Sequence, residues 1–231
     1  MPDTASQGVA DRHVLVAGAT SASGLEAARV LASAGARVVA VGRDAGRLDD
    51  LAAAVAGVRT AVCDLADESE VASLAERVHA AEGHVDGVLH LVGGWRGGGG
   101  LAGQSEADYR FLERSLTALR HISRAFDADL RASSAARLAV VSSTAVARPL
   151  AGGANYAAVK AATEAWARAV AQGFAKSARD AGQPLAAASV VFRAKSLDGL
   201  EEALAQRFAD LWDSDAADVN DTIVELTDPT L

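Results

Sequence analysis

The stretch His13-Val14-Leu15-Val16-Ala17-Gly18-Ala19-Thr20-Ser21-Ala22-Ser23-Gly24 decides the fold. Its first five residues are apolar on both faces. A run that short reads as a strand covered from both sides of a sheet. A glycine-containing turn follows, then helical spacing over 22–34, with Gly35 as a C-terminal stop. Glycine between a strand and a helix lets backbone approach a pyrophosphate, and the helix N-terminus offers free N–H groups at the positive end of its dipole. A plain tight turn would use the same residues. The strand–turn–helix context favours a bound nucleotide, with Gly18, Thr20, Ser21, Ala22, Ser23 and Gly24 around its phosphates.

Outward from this stretch the pattern repeats. Strands are expected at 37–41, 58–63, 85–92, 138–141, 186–192 and 222–226. Helices are expected at 44–55, 68–81, 106–131, 154–179 and 200–211. Short apolar strands separated by helices predict an α/β chain: one doubly wound Rossmann-type domain with a mainly parallel sheet of about seven strands. The domain would span 12–231, after a flexible N-terminal tail over 1–11. The glycine run 97–100 falls in the loop after the fourth strand, at the sheet edge where such folds bind ligands.

Composition narrows the function. Half of the residues are hydrophobic, so the core is ample and disorder is excluded. The single Cys63 excludes a disulfide framework and thiolate zinc cages. The net charge of −8 and the lack of a Lys/Arg cluster argue against a nucleic-acid partner. No apolar run reaches the roughly 18 residues of a membrane span. The N-terminus lacks a basic segment before an apolar one, so the expectation is a cytoplasmic protein away from membranes.

Two further strand ends carry polar residues. The second strand ends Gly42-Arg43, offering a cation where a carboxylate would hold a ribose 2′-OH, which favours NADP(H) over NAD(H). The third ends Cys63-Asp64-Leu65; Asp64 either accepts from an adenine amino group or caps a turn. Tyr156 and Lys160 sit four apart on the long helix and share a face. An ammonium beside a phenol favours the phenolate, so the phenol can exchange a proton with a carbonyl oxygen or an alcohol. Ser143, from another strand end, can hold that oxygen. His90 reads as a strand-end support for the loop that follows. Trp95 is either a substrate-site residue or a partly buried loop anchor.

Together these residues resemble the short-chain dehydrogenase/reductase family over about 12–192, and more weakly to 226. The likeness rests on the Gly18…Gly24 turn, Asp64, and Ser143 placed thirteen residues before Tyr156-x-x-x-Lys160. It implies a seven-stranded domain that uses NAD(P)(H) to interconvert carbonyls and alcohols. Tyr156 would be the general acid/base, Lys160 would hold the nicotinamide ribose, and Ser143 would orient the carbonyl. Ser115 stands where the family has the Asn of its tetrad, and Leu65, Val92 and Gly93 join the cofactor set. The chain departs from the family in several places. Its middle turn glycine is Ala22, the basic residue before it is Ser21, and the Asn-Asn-Ala-Gly stretch reads His90-Leu91-Val92-Gly93. The family's Pro-Gly after the sixth strand is missing, Phe192-Arg193-Ala194-Lys195 standing there, and the substrate lid shrinks to about 193–199.

The reading is an NADP(H)-dependent oxidoreductase acting on a ketone, aldehyde or secondary alcohol. A site so open suits a bulky, extended or carrier-borne substrate. The alternative is a non-catalytic NADP(H)-binding regulatory or partner protein with the same fold. A homodimer or homotetramer is expected through the helices at 106–131 and 154–179. The first offers Phe111, Leu112, Leu116, Leu119, Ile122 and Phe126, and the second a row of alanines with Trp166.

Overall fold

The computed structural model describes residues 8–227. Seven strands form one parallel sheet: β1 His13–Ala17, β2 Arg37–Gly42, β3 Arg59–Val62, β4 Gly87–His90, β5 Ala136–Ser143, β6 Ala187–Ala194 and β7 Thr222–Glu225. Their order is β3-β2-β1-β4-β5-β6-β7. The order reverses between β1 and β4, and a crevice opens there at the carboxyl ends of the strands. The helices are α1 Ala22–Ser33, α2 Ala45–Ala54, α3 Glu68–Glu82, α4 Glu106–Ala125, α5 Asp127–Ala132, α6 Ala154–Ala181, α7 Glu201–Ala209 and α8 Ala216–Val219.

The period of two along a strand splits the core into two layers. On β1, Val14 and Val16 point to the layer of α1 and α7, where Leu31, Leu204 and Phe208 are fully buried. Leu15 and Ala17 point to the layer of α3, α4 and α6, with Leu74, Ile122 and Phe174. Strands apolar on both faces are therefore the inner ones. The edges differ: Arg59, Thr60 and Val62 of β3 are exposed, and β7 alternates.

Several boundaries depart from the sequence expectation for identifiable reasons. The long helix expected over 106–131 is two helices, broken at the fully buried Phe126, which leaves helical geometry at φ −109° and ψ 12°. Strand β5 is eight residues long, not four. It accommodates Arg137, whose buried guanidinium donates to the carbonyls of Ala136, Ala186, Leu211 and Ser214. Burial lowers the pKa of Arg137 to about 10. Strand β4 is shorter at both ends; past it Leu91 and Val92 pack against Gly18, the Leu91 N–H donating to the Ala17 carbonyl at 2.7 Å. Of the tail expected over 1–11, residues 1–7 lie outside the described residues. Gly8–Asp11 form a turn instead, with Val9 buried in the core.

Candidate active site

The crevice holds two cavities, of about 330 Å³ and about 200 Å³, that share Ser21 and the Leu91–Gly94 segment. One reaches Arg43 and Asp64; the other reaches Tyr156 and Lys160. A two-lobed trough of this kind has the shape to take a molecule made of two linked nucleotides.

Close backbone packing builds the turn between the lobes. Gly18 has φ +88°, and a Cβ there would lie 2.9 Å from the Leu91 carbonyl carbon and the Val92 nitrogen. Only glycine allows that conformation and that approach at once. At Gly42 a Cβ would stand 2.7 Å from the Thr20 methyl, which ties the ends of β1 and β2 together. Ser21 caps α1, its hydroxyl accepting from the Gly24 N–H at 3.1 Å. Ala22 is exposed, whereas Ser23 is buried and lines the second cavity.

The first lobe is cationic at its far end. Arg43 is exposed, lines the cavity, and makes no ion pair among the described residues. Arg47 joins it there, a residue the sequence reading did not single out. Asp44 is the carboxylate next to the end of β2. It is turned into the N-cap of α2, accepting from the Arg47 N–H at 3.1 Å, and it does not line the cavity. Asp64 accepts from the Ala66 N–H at 3.0 Å and is paired with Arg114; it shapes a turn and also lines the lobe. Leu65 and Cys63 line the same wall. Burial pushes the Cys63 thiol up to about 11, so it stays a neutral packing residue.

The second lobe brings together two of the four catalytic candidates, Tyr156 and Lys160; Ser115 lines the first lobe and Ser143 lines neither. Tyr156 and Lys160 both line it, and the Lys160 ammonium lies 5.7 Å from the centre of the Tyr156 ring. Lys160 is buried and donates to the Val141 carbonyl at 2.8 Å. Burial lowers its pKa to about 8, opposed by the negative charge of Glu164. At neutral pH it is still mostly an ammonium. Ser143 is buried at the end of β5, and its hydroxyl accepts from the Ala145 N–H at 3.2 Å. Its neighbour Ser142 lines the cavity and donates to Glu164 at 2.6 Å.

A family model described as short chain dehydrogenase matches residues 12–178 of this chain. The chain belongs to the short chain dehydrogenase family. Its Tyr156-x-x-x-Lys160 pair, Ser143 and the Gly18 turn all fall inside that match. Over 90 residues it is 38% identical to the Bos taurus Dehydrogenase/reductase SDR family member 7B. That stretch is 35% of this chain and 28% of the relative, so the alignment spans less than a third of that curated protein. Among solved structures, a short chain dehydrogenase from Salmonella enterica subsp. enterica serovar Typhi str. CT18 superposes with TM-score 0.80 at 21% identity, over 97% of this chain and 98% of the other. A Shigella flexneri 2a str. 301 protein, described as a short chain dehydrogenase complexed with NADP, gives 0.80 at 20% identity, over 95% and 98%. At those identities the likeness bears on the fold.

Against the family pattern, three positions stand out. Ser115 lines the first lobe, but its hydroxyl donates to the Leu112 carbonyl of its own helix at 2.7 Å. Its carbonyl accepts from Nε2 of His90 at 3.1 Å. His90 is buried, and its Nδ1 has no partner among the described residues. Burial, aided by the Lys160 charge, drives the His90 pKa down to about 3, so the ring is neutral. His90 thus ties β4 to α4, which fits its reading as a support. Where the family has Pro-Gly, Arg193 reaches back to Glu164 at 2.8 Å and out to Glu225 at 3.2 Å. Glu164 is buried one helical turn beyond Lys160, so this ion network continues along α6 from the Tyr156–Lys160 pair.

Sequence reading missed Arg47, Arg114, Glu164 and Gln104. Gln104 donates to the carbonyls of Gly98, Gly100 and Gly152 and accepts from the Asn155 N–H. It ties the glycine-rich loop to the start of the helix that carries Tyr156. Only the low-complexity run nearby hinted at it. Trp95 is 61% exposed, so it is no buried anchor. The α4 residues expected at an interface are mostly committed inside the domain: Leu112, Leu119, Ile122 and Phe126 are buried in it, and Phe111 is exposed.

Proposed function

We propose that this chain is an NADP(H)-dependent oxidoreductase that interconverts a ketone or aldehyde and an alcohol. The observation that carries the reading is the shared second lobe: the phosphate turn at Ser21 and Ser23 and the Tyr156–Lys160 pair line one cavity. A dinucleotide held along the trough would have its adenosine half by Arg43 and Asp64, and its nicotinamide half by Tyr156. The residues present fit it. Gly18, Thr20, Ser21, Ala22, Ser23 and Gly24 would frame the pyrophosphate, and Leu65, Val92 and Gly93 would wall the two ends. Arg43, without an ion pair among the described residues and with Asp44 turned away, favours a 2′-phosphate over a bare 2′-OH.

The nicotinamide, when bound, supplies or accepts the hydride. The protein handles the proton. In reduction the Tyr156 hydroxyl gives its proton to the carbonyl oxygen; in oxidation the phenolate takes one from the alcohol. The Lys160 ammonium, 5.7 Å from the centre of the Tyr156 ring, would bind ribose hydroxyls. Ser143 holds the reacting oxygen. Ser115 lines the first lobe rather than the cavity of this pair.

Self-association is proposed through the exposed alanine row of α6, Ala158, Ala161, Ala165 and Ala169, with Trp166 at its flank. Among the described residues no helix is long and apolar enough to cross a membrane. The test is NADPH oxidation over a panel of aromatic, aliphatic and carrier-linked ketones and aldehydes. Turnover of any member supports the reading. NADPH binding with no turnover across the panel would favour a nucleotide-sensing role instead.

A further inference from the structure

We propose that Lys195 grips the pyrophosphate bridge of the dinucleotide from the β6 side of the crevice, opposite the phosphate turn; this rests on the reading of the chain as a dinucleotide enzyme. Lys195 is the first residue past β6, directly after Ala194, which pairs with Ser143 in the sheet. It lines the second lobe together with Ser21 and Ser23 of the turn and with Lys160. That lobe carries two ammonium groups and no carboxylate in its lining, in a chain whose net charge is −8. A cavity so biased against the overall charge suits an anion.

The two lysines have different tasks. Lys160 is buried and bonded to the Val141 carbonyl beside Tyr156. Lys195 is exposed and has no hydrogen bond or ion pair among the described residues, so its ammonium is free for a ligand. The neighbouring cation cannot substitute for it: Arg193 is held by Glu164 and Glu225. The short segment after β6 is itself a folded turn. Ser196 accepts from the Asp198 N–H at 3.1 Å, Leu200 N–H donates to Leu197 at 2.8 Å, and Leu197 packs on the core. This turn follows directly on Lys195, which lines the rim of the cavity. Where the resembled family has a longer lid, this chain supplies a point charge.

The experiment is fluorescence titration of wild type, Lys195→Met and Lys195→Arg with NADPH and with NADH, and displacement of NADPH by 2′-AMP. The pyrophosphate is common to both dinucleotides and absent from 2′-AMP. Lys195→Met is therefore expected to weaken NADPH and NADH by the same factor, about 10-fold for one partly exposed charge-assisted contact. Lys195→Arg should recover most of it, and 2′-AMP should bind all three proteins alike, which also shows that the variants fold. Unchanged dinucleotide affinity in Lys195→Met would overturn the proposal. So would unchanged dinucleotide affinity with a raised KM for the carbonyl substrate, since the anion held would then be on the substrate. Wild type that binds neither NADPH nor NADH would instead reject the underlying reading, and with it this one.

Discussion

Replacing Lys160 by Met is expected to stabilise the nucleotide-free protein near neutral pH. The pKa of Lys160 falls from 10.5 to about 8 because its ammonium is buried. A difference of that size amounts to about 3 kcal/mol of unfavourable burial of the charged form. Met keeps the apolar stem buried and removes the charge. It also leaves the Val141 carbonyl without its donor, at a cost of about 1 kcal/mol. The net gain is about 2 kcal/mol, or roughly 4–8 °C in Tm for a domain of this size. The pH dependence carries a definite sign. Below pH 8 both folded and unfolded Lys160 are protonated, so the full burial cost weighs on the wild type. Above pH 8 the folded lysine loses its proton while the unfolded one keeps it up to 10.5, and the wild type gains stability. By about pH 9.5 some 2 kcal/mol of the cost is relieved and the two proteins should be equally stable. Urea unfolding of both proteins at pH 7 and at that higher pH is the assay. A variant less stable at pH 7, or a stability gap that does not change with pH, would refute the reasoning.

Three other consequences follow from the same geometry. Arg43→Ala is expected to weaken NADPH about 10- to 100-fold and to leave NADH unchanged, as read by parallel fluorescence titrations. Arg193→Met should destabilise the fold by about 3 kcal/mol, because it strands the buried Glu164 charge; adding Glu164→Gln should recover most of that in urea unfolding. Gln104→Ala frees three loop carbonyls and the Asn155 N–H. Hydrogen exchange should quicken over 98–104, and kcat/KM should fall by about 10-fold at unchanged NADPH affinity.

The parallel sheet was legible because its inner strands bury both faces and so must be apolar throughout. Polar residues concealed the rest. Arg137 hid the start of β5, since nothing in a sequence announces that four carbonyls will converge on one guanidinium. Phe126 looked like a continuation of the helical spacing, yet the helix breaks there, at φ −109° and ψ 12°. Ser143, Tyr156 and Lys160 could be found by spacing because two of them share one turn of helix. Glu164 and Arg193 could not: they lie 29 positions apart and meet only through the α6–β6 contact. Gly18 and Gly42 were readable as glycine positions, but their immediate reason is backbone packing at the β1–β4 and β1–β2 ends, visible only in three dimensions.

The measurement that bears most directly on the central claim compares wild type with Tyr156→Phe in NADPH-dependent carbonyl reduction, with NADPH affinity determined for both. The ring stays and only the hydroxyl is lost, so nucleotide binding should be unchanged. Turnover should fall by a factor of about 10²–10⁴, the usual contribution of a positioned general acid. Equal turnover in the two proteins would contradict the assignment of Tyr156 and, with it, the account of how this site works.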